Sequence, residues 1–170
     1  MIKTERLNLI PCGLKHFEAF ARGGEDELAE LLNVSVAEGW LVFPEAMIFG
    51  YEFLKTNPDA SSWWMYLFVE TEEKKLVGNG GFKGKPDAAG MVDIGYAIAP
   101  GYEGKGLVTE AAKNLLDYAF SNPQVKIVQA HTLAEENASV KVLRKLGMTF
   151  IKELHDDEDG DVWQWQKFRV

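Results

Sequence analysis

The sequence predicts a single α/β domain over residues 1–170, and three observations predict it. The chain has the length of one domain, long enough to bury roughly 70% of its unfolded surface, and its 46% hydrophobic and 12% aromatic residues can fill a core without disulfides. Three successive segments between residues 63 and 98 read as strands joined by short polar turns, the pattern of an antiparallel meander. Beyond them, apolar residues recur at helical spacing in two stretches that flank a further strand.

In residues 4–10, Leu7 and Leu9 share one face and Arg6 and Asn8 the other, the period of a half-buried strand. From residue 14 to 32, Phe17, Phe20, Leu28, Leu31 and Leu32 recur at helical spacing around Gly23-Gly24, which divides the stretch into two short helices. Residues 40–54 carry Trp40, Phe43, Phe49, Tyr51 and Phe53 around Pro44 and Gly50. Their regular structure is ambiguous; a helix and a loop covering a cleft is one reading.

Residues 63–70, 75–83 and 91–98 form the meander, turning at Thr71-Glu72-Glu73-Lys74 and at residues 85–90. Trp63 and Trp64 are adjacent and point oppositely. A helix follows at 107–120, its stripe Val108, Ala111, Ala112, Leu115, Leu116 and Ala119. After a strand at 125–133, a second helix at 138–146 buries Ala138, Val142, Leu143 and Leu146, with Asn137 as N-cap and Gly147 just past its end. A terminal hairpin pairs 149–155 with 162–168 around the acidic turn 156–161, and Trp163 and Trp165 alternate along its last strand, where core or homodimer packing accounts for them better than base stacking.

Composition narrows the partners. Eighteen Lys plus Arg against 26 Asp plus Glu leave a net charge of −8, which repels a nucleic acid. No apolar run approaches the ~20 residues of a membrane span, and Lys3, Glu5 and Arg6 stand where a signal peptide needs apolar residues. The lone Cys12 excludes an internal disulfide framework and a multi-cysteine metal site. A cytoplasmic protein without a metal is the expectation. Cys12, before Gly13 and without a local base, reads as inert. The acidic turn fails as a calcium loop, because aligning Gly160 with the required glycine puts His155 and Gln166 at ligand positions.

The informative stretch is the strand Met91 to Ile98, the turn Ala99-Pro100-Gly101-Tyr102-Glu103-Gly104-Lys105-Gly106, and the helix from Leu107. Glycines between a strand and a helix let backbone N–H groups approach an anion at the positive helix end, which makes a pyrophosphate cradle. A P-loop fails at Ala99 and Gly106. The dinucleotide pattern has Thr109 at its third glycine and lacks a βαβ context.

The stretch Glu103-Gly104-Lys105-Gly106-Leu107-Val108, continued by Thr109-Glu110-Ala111, resembles the coenzyme A pyrophosphate loop of the GCN5-related N-acetyltransferase family. Asn137-Ala138-Ser139 through Lys145-Leu146-Gly147-Met148 is similar to a second block of that family, and Thr4-Glu5-Arg6-Leu7 with Asp93-Ile94-Gly95-Tyr96 resembles the branch of the ribosomal-protein N-terminal acetyltransferases. The resemblance implies a mixed, mostly antiparallel central sheet flanked by helices, with acetyl-CoA entering where the fourth and fifth major strands diverge. It implies direct transfer of an acetyl group to a primary amine, with no metal. It also implies that the N–H near Ile98 polarises the thioester carbonyl, that Gly104, Lys105, Gly106, Leu107 and Val108 hold the pyrophosphate, and that Asn137 contacts the pantetheine arm, a cap role being the alternative.

Four departures stand out. Glu103 replaces the usual Arg or Gln, so weaker coenzyme binding is expected, with Lys105 supplying a cation; Val108 replaces a small residue; Met148 replaces the common Phe; and Leu143 occupies the place of the tyrosine that protonates the leaving thiolate. Ser139 is the substitute acid. Asp93, sharing a strand face with Gly95 and Ala97, is the candidate to accept the amine's proton, directly or through water. His131 could do the same job, though it reads more simply as an ordinary strand histidine. The acidic balance favours a cationic acceptor, a protein N-terminus or a small amine. A non-catalytic acyl-CoA-binding module is the alternative function.

Overall fold

The computed structural model describes all 170 residues. The chain runs β1 (Ile2–Lys3), β2 (Leu7–Pro11), α1 (Leu14–Leu32), β3 (Ser35–Val36), α2 (Glu45–Thr56), β4 (Met65–Glu70), β5 (Lys75–Phe82), β6 (Met91–Ile98), α3 (Leu107–Ser121), β7 (Ile127–Leu133), α4 (Ala138–Lys145), β8 (Thr149–Asp156) and β9 (Gly160–Phe168). The strands form one sheet in the order β1-β2-β4-β5-β6-β7-β9-β8, with β3 added in parallel beside β5. Every other pairing is antiparallel except β6 with β7. This is the mixed, mostly antiparallel sheet the sequence predicts. No helix is long and apolar enough to cross a membrane.

The expected meander is present as β4, β5 and β6. Trp63 lies in a 3-10 turn, and the strand itself starts at Met65. The stretch 14–32 is helical on both sides of a kink at Gly23 and Gly24, the latter at φ +65°. The ambiguous aromatic segment resolves into α2, which buries Met47, Gly50 and Leu54 and leaves Phe43 and Phe49 outside. One expectation fails in α4: Ala138 is exposed, because it directly follows the Asn137 cap, and Val140 takes the inward position with Leu143. The acidic turn is also tighter than expected, since Asp156 already pairs with Gly160.

Register assigns the two sheet faces. Asn79, Gly81, Asp93, Gly95, Ala97, Gln129 and His131 share one; Tyr66, Gly80, Phe82, Val92, Ile94, Tyr96, Val128 and Ala130 share the other. The second face packs on α3, where the Tyr118 ring meets Trp63, Tyr66 and Phe82. Over the first face lie α2 and the segment before it: Phe53 stacks on Trp64 at 4.5 Å, and the Trp40 carbonyl accepts from the Asn79 amide.

The β6–β7 ladder covers only Met91↔Ile127 to Asp93↔Gln129, whereas β6 stays paired with β5 out to Ile98. Glycines make that close pairing feasible, for a Cβ on Gly78 would stand 2.4 Å from the Ala97 carbonyl oxygen. Beyond Asp93, β6 therefore follows β5 and parts from β7.

Candidate active site

The parting leaves one edge of β6 open. The Asp93 carbonyl and the Ala99 N–H bond toward β5, to Lys83 N–H and to the Val77 carbonyl. Alternation along a strand then turns the N–H groups of Tyr96 and Ile98 toward the opposite edge, where no ladder receives them. Ile98 thus presents a backbone donor to the gap, at the place expected for a thioester carbonyl.

At the end of β6 a 3-10 turn, Pro100–Tyr102, leads into the glycine loop. Gly104 and Gly106 have φ +73° and +79°, values that side chains rarely adopt, and Gly106 caps α3. Every backbone N–H from Gly104 through Thr109 lacks an acceptor within the protein. A helix start alone leaves four such groups; here the loop adds more, beside open space at Gly104. Gly104, Lys105, Gly106, Leu107 and Val108 therefore fit a pyrophosphate through their amides.

A second cation, besides the expected Lys105, reaches this loop. The Lys105 ammonium sits over the Tyr102 ring at 4.8 Å. Arg6 approaches as well: its Nη1 donates to the Lys105 carbonyl at 2.8 Å, and its Nη2 is 3.4 Å from where a Gly106 Cβ would stand. Glu110 holds Arg6 in place, accepting from the Arg6 amide at 2.7 Å, from Arg6 Nε at 2.8 Å and from the Thr4 hydroxyl. Burial disfavours the Glu110 carboxylate, but these donors outweigh it and hold its pKa below the ordinary 4.5. Thr4, Arg6 and Glu110 all lie in motifs quoted for the resemblance, yet sequence offers no sign that they meet. Glu103 is exposed.

At the start of α4 the Asn137 side-chain oxygen accepts from the Val140 N–H at 3.0 Å. Its NH2 group stays free to donate, so capping and ligand contact are compatible. Ser139 borders the gap. Leu143, at the family's tyrosine position, is buried in the core. A different tyrosine reaches the neighbourhood from β6: the Tyr96 hydroxyl donates to the Ser139 carbonyl at 3.4 Å. Burial pushes its pKa up to about 12, so it keeps its proton at neutral pH. Its place beside Ser139 was missed in sequence because Tyr96 counted there only as a mark of the branch.

A cavity of about 510 Å³ passes through the strand gap, from Ser139 and Tyr96 to the opposite face, where Gly81, Gly95 and Ala97 form its floor and Phe43, Phe49 and Trp64 its wall. His131 lines it, whereas Asp93 sits beside it. The Asp93 Oδ1 accepts from Gln129 at 3.1 Å and lies 3.5 Å from His131 Nδ1. Gln129 in turn accepts from Gln166 at 2.8 Å. The structure thus places the carboxylate behind the imidazole, with His131 between it and the cavity.

Cys12 is buried, which pushes its thiol pKa far above the ordinary value. The acidic turn is closed by its own backbone, the Asp156 carboxylate accepting from the Glu158 and Asp159 amides. Trp165 is buried and donates to Thr132, and its ring packs edge to face on Phe150.

A mixed sheet parted between two parallel strands, with an amide-lined cradle at the end of the first, defines an acyltransferase class of α/β fold. Residues 6–149 match the family described as the acetyltransferase (GNAT) domain. The chain belongs to that family and is an acetyltransferase. It is 30% identical over 149 residues to the uncharacterized N-acetyltransferase YjdG of Bacillus subtilis, covering 86% of this chain and 88% of that protein. Among solved structures it shares the fold of a GNAT-family acetyltransferase from Bacillus anthracis, with a TM-score of 0.65 at 23% identity over 98% of this chain and 97% of the other. It also shares the fold of RimL, a ribosomal L7/L12 alpha-N-protein acetyltransferase solved in complex with coenzyme A, with a TM-score of 0.69 at 17% identity over 97% and 95%.

Proposed function

We propose that the protein transfers the acetyl group of acetyl-CoA directly to the nitrogen of a primary amine, with both substrates bound at once. The observation that carries this reading is the cavity at the β6–β7 gap, lined by residues of both sheet faces, beside the strand whose far end carries the amide cradle. Bound acetyl-CoA supplies the activated acyl group. The amides of Gly104 to Val108 bind its pyrophosphate, Arg6 stiffens the loop from behind, and the Asn137 NH2 group donates to the pantetheine arm.

The Ile98 N–H donates to the carbonyl oxygen and stabilises the charge that gathers there. His131 Nε2 takes the proton released by the attacking amine, while Asp93, held by Gln129, orients the ring from its Nδ1 side. As the new C–N bond forms and the C–S bond breaks, the leaving thiolate takes a proton from the hydroxyl of Ser139 at the start of α4 or from that of Tyr96 on β6 beside it. Asp93 is then a positioning residue. The acceptor is a protein N-terminus or a small amine.

Release of free CoA thiol, measured with and without a panel of primary amines, tests the proposal. Amine-dependent release, with the acetylated amine found by mass spectrometry, is the expected result. Tight coenzyme binding without amine-dependent release would replace the reading with that of a binding module.

A further inference from the structure

The net charge of −8 suggests a polycationic acceptor, but that charge is not in the pocket. The charged residues lining the cavity are Lys83 and Asp159, which balance. Asp93 sits behind His131, and its Oδ1 already accepts from Gln129. A polyamine needs several carboxylates spaced along its length, and this lining offers one, Asp159, beside Lys83.

What the pocket offers is apolar surface. Phe43 and Phe49, at its mouth, are 59% and 63% exposed, and Val42 and Ile48 beside them are exposed as well. Large apolar side chains left in water and grouped at the entrance of a cavity gain by being covered. Trp64 completes the wall, fixed by its stack on Phe53. The floor carries no bulk. Gly81 has no room for a side chain, because a Cβ there would meet the Trp64 carbonyl, whereas Gly95 has open space above it. A flat slot bounded by aromatic rings and floored by glycine is shaped for a ring or a branched aliphatic group.

We propose that the acceptor is a primary amine carrying an aromatic or branched apolar group one or two carbons from its nitrogen. The group seats among Phe43, Phe49 and Trp64 above Gly95, and the nitrogen faces His131 and the strand gap. This inference rests on the acetyl transfer proposed above. A free aralkylamine and a peptide with an apolar N-terminal residue share this chemistry.

The experiment compares kcat/KM with acetyl-CoA for 2-phenylethylamine, a tetrapeptide amide beginning with phenylalanine, ethylamine and spermidine. One of the two phenyl-bearing amines should exceed both ethylamine and spermidine by about ten- to a hundredfold, the effect of burying one ring. Which of the two leads identifies the source. Phe49→Ala should cut the preference for that amine over ethylamine by about tenfold, through KM more than kcat. Gly95→Leu, which fills the slot, should raise KM for the phenyl-bearing amine while thermal stabilisation by CoA is retained. Turnover of spermidine or ethylamine equal to that of both phenyl-bearing amines overturns the acceptor class and leaves acetyl transfer standing. Absence of amine-dependent release with every amine in the set overturns acetyl transfer, and the acceptor class with it.

Discussion

Replacing Glu110 with Ala removes an acceptor that ties the first turn of α3 to the N-terminal segment. Three donors lose this acceptor: the Arg6 amide, Arg6 Nε and the Thr4 hydroxyl, the last keeping the Leu7 carbonyl as an alternative. Hydrogen bonds to a charged group are worth about 1.5–3 kcal/mol each taken singly, but bonds sharing one acceptor do not add. The Glu110 side chain is 13% exposed and that of Arg6 43%, so the freed guanidinium regains water and its share must be discounted. A net loss of about 2–3 kcal/mol remains. For a chain of this size that lowers Tm by about 5–10 °C. CoA affinity should fall as well, because Arg6 also holds the Lys105 carbonyl in the cradle.

Differential scanning calorimetry of wild type, Glu110→Ala and Glu110→Gln reads the first effect, and CoA titration the second. Because the folded carboxyl titrates below the ordinary 4.5, its stabilisation is complete above about pH 4.5 and is lost as pH falls through the folded pKa. The wild-type advantage over Glu110→Gln should therefore be full at neutral pH and shrink in acid. A Glu110→Ala protein that melts within about 2 °C of wild type and binds CoA equally well would refute the reasoning.

Gly106→Asp puts a side chain at φ +79° and a negative charge beside the free amides, so CoA affinity should drop by at least about a hundredfold; binding at wild-type strength would dismiss the cradle. Ser139→Ala and Tyr96→Phe separate the two hydroxyls. Loss of kcat by about 10²–10⁴ identifies the proton donor, and a variant that keeps its kcat is removed from that step. Cys12, buried with its thiol pKa raised, should react with a thiol reagent only as fast as the protein unfolds. Rapid labelling of the native protein would contradict its burial.

The meander and α3 were legible because strand alternation and the stripe from Leu107 to Ala119 are strong local patterns. The cradle was legible because Gly104 and Gly106 stand between a strand and a helix. Residues 40–54 were ambiguous for a physical reason: α2 is apolar on both sides, burying Met47 and Leu54 while leaving Ile48 and Phe49 outside, so its pattern has no single face. The Arg6–Glu110 contact joins residues 104 apart and leaves no periodic trace. The order of Asp93 and His131 depends on which side chain reaches the gap, and that follows from where β6 leaves β7. Tyr96 escaped notice because its hydroxyl meets α4 only after the two strands part.

The central claim is that the parted strands and the amide-lined loop hold coenzyme A. Thermal unfolding with acetyl-CoA, CoA, ATP and NAD added separately tests it most directly. A ligand at a hundredfold its Kd contributes about 2.7 kcal/mol, a rise in Tm of about 5–10 °C for this chain. The account predicts that rise with acetyl-CoA and with CoA and none of that size with ATP or NAD. No rise with either thioester or thiol at millimolar concentration, or an equal rise with NAD, would contradict it.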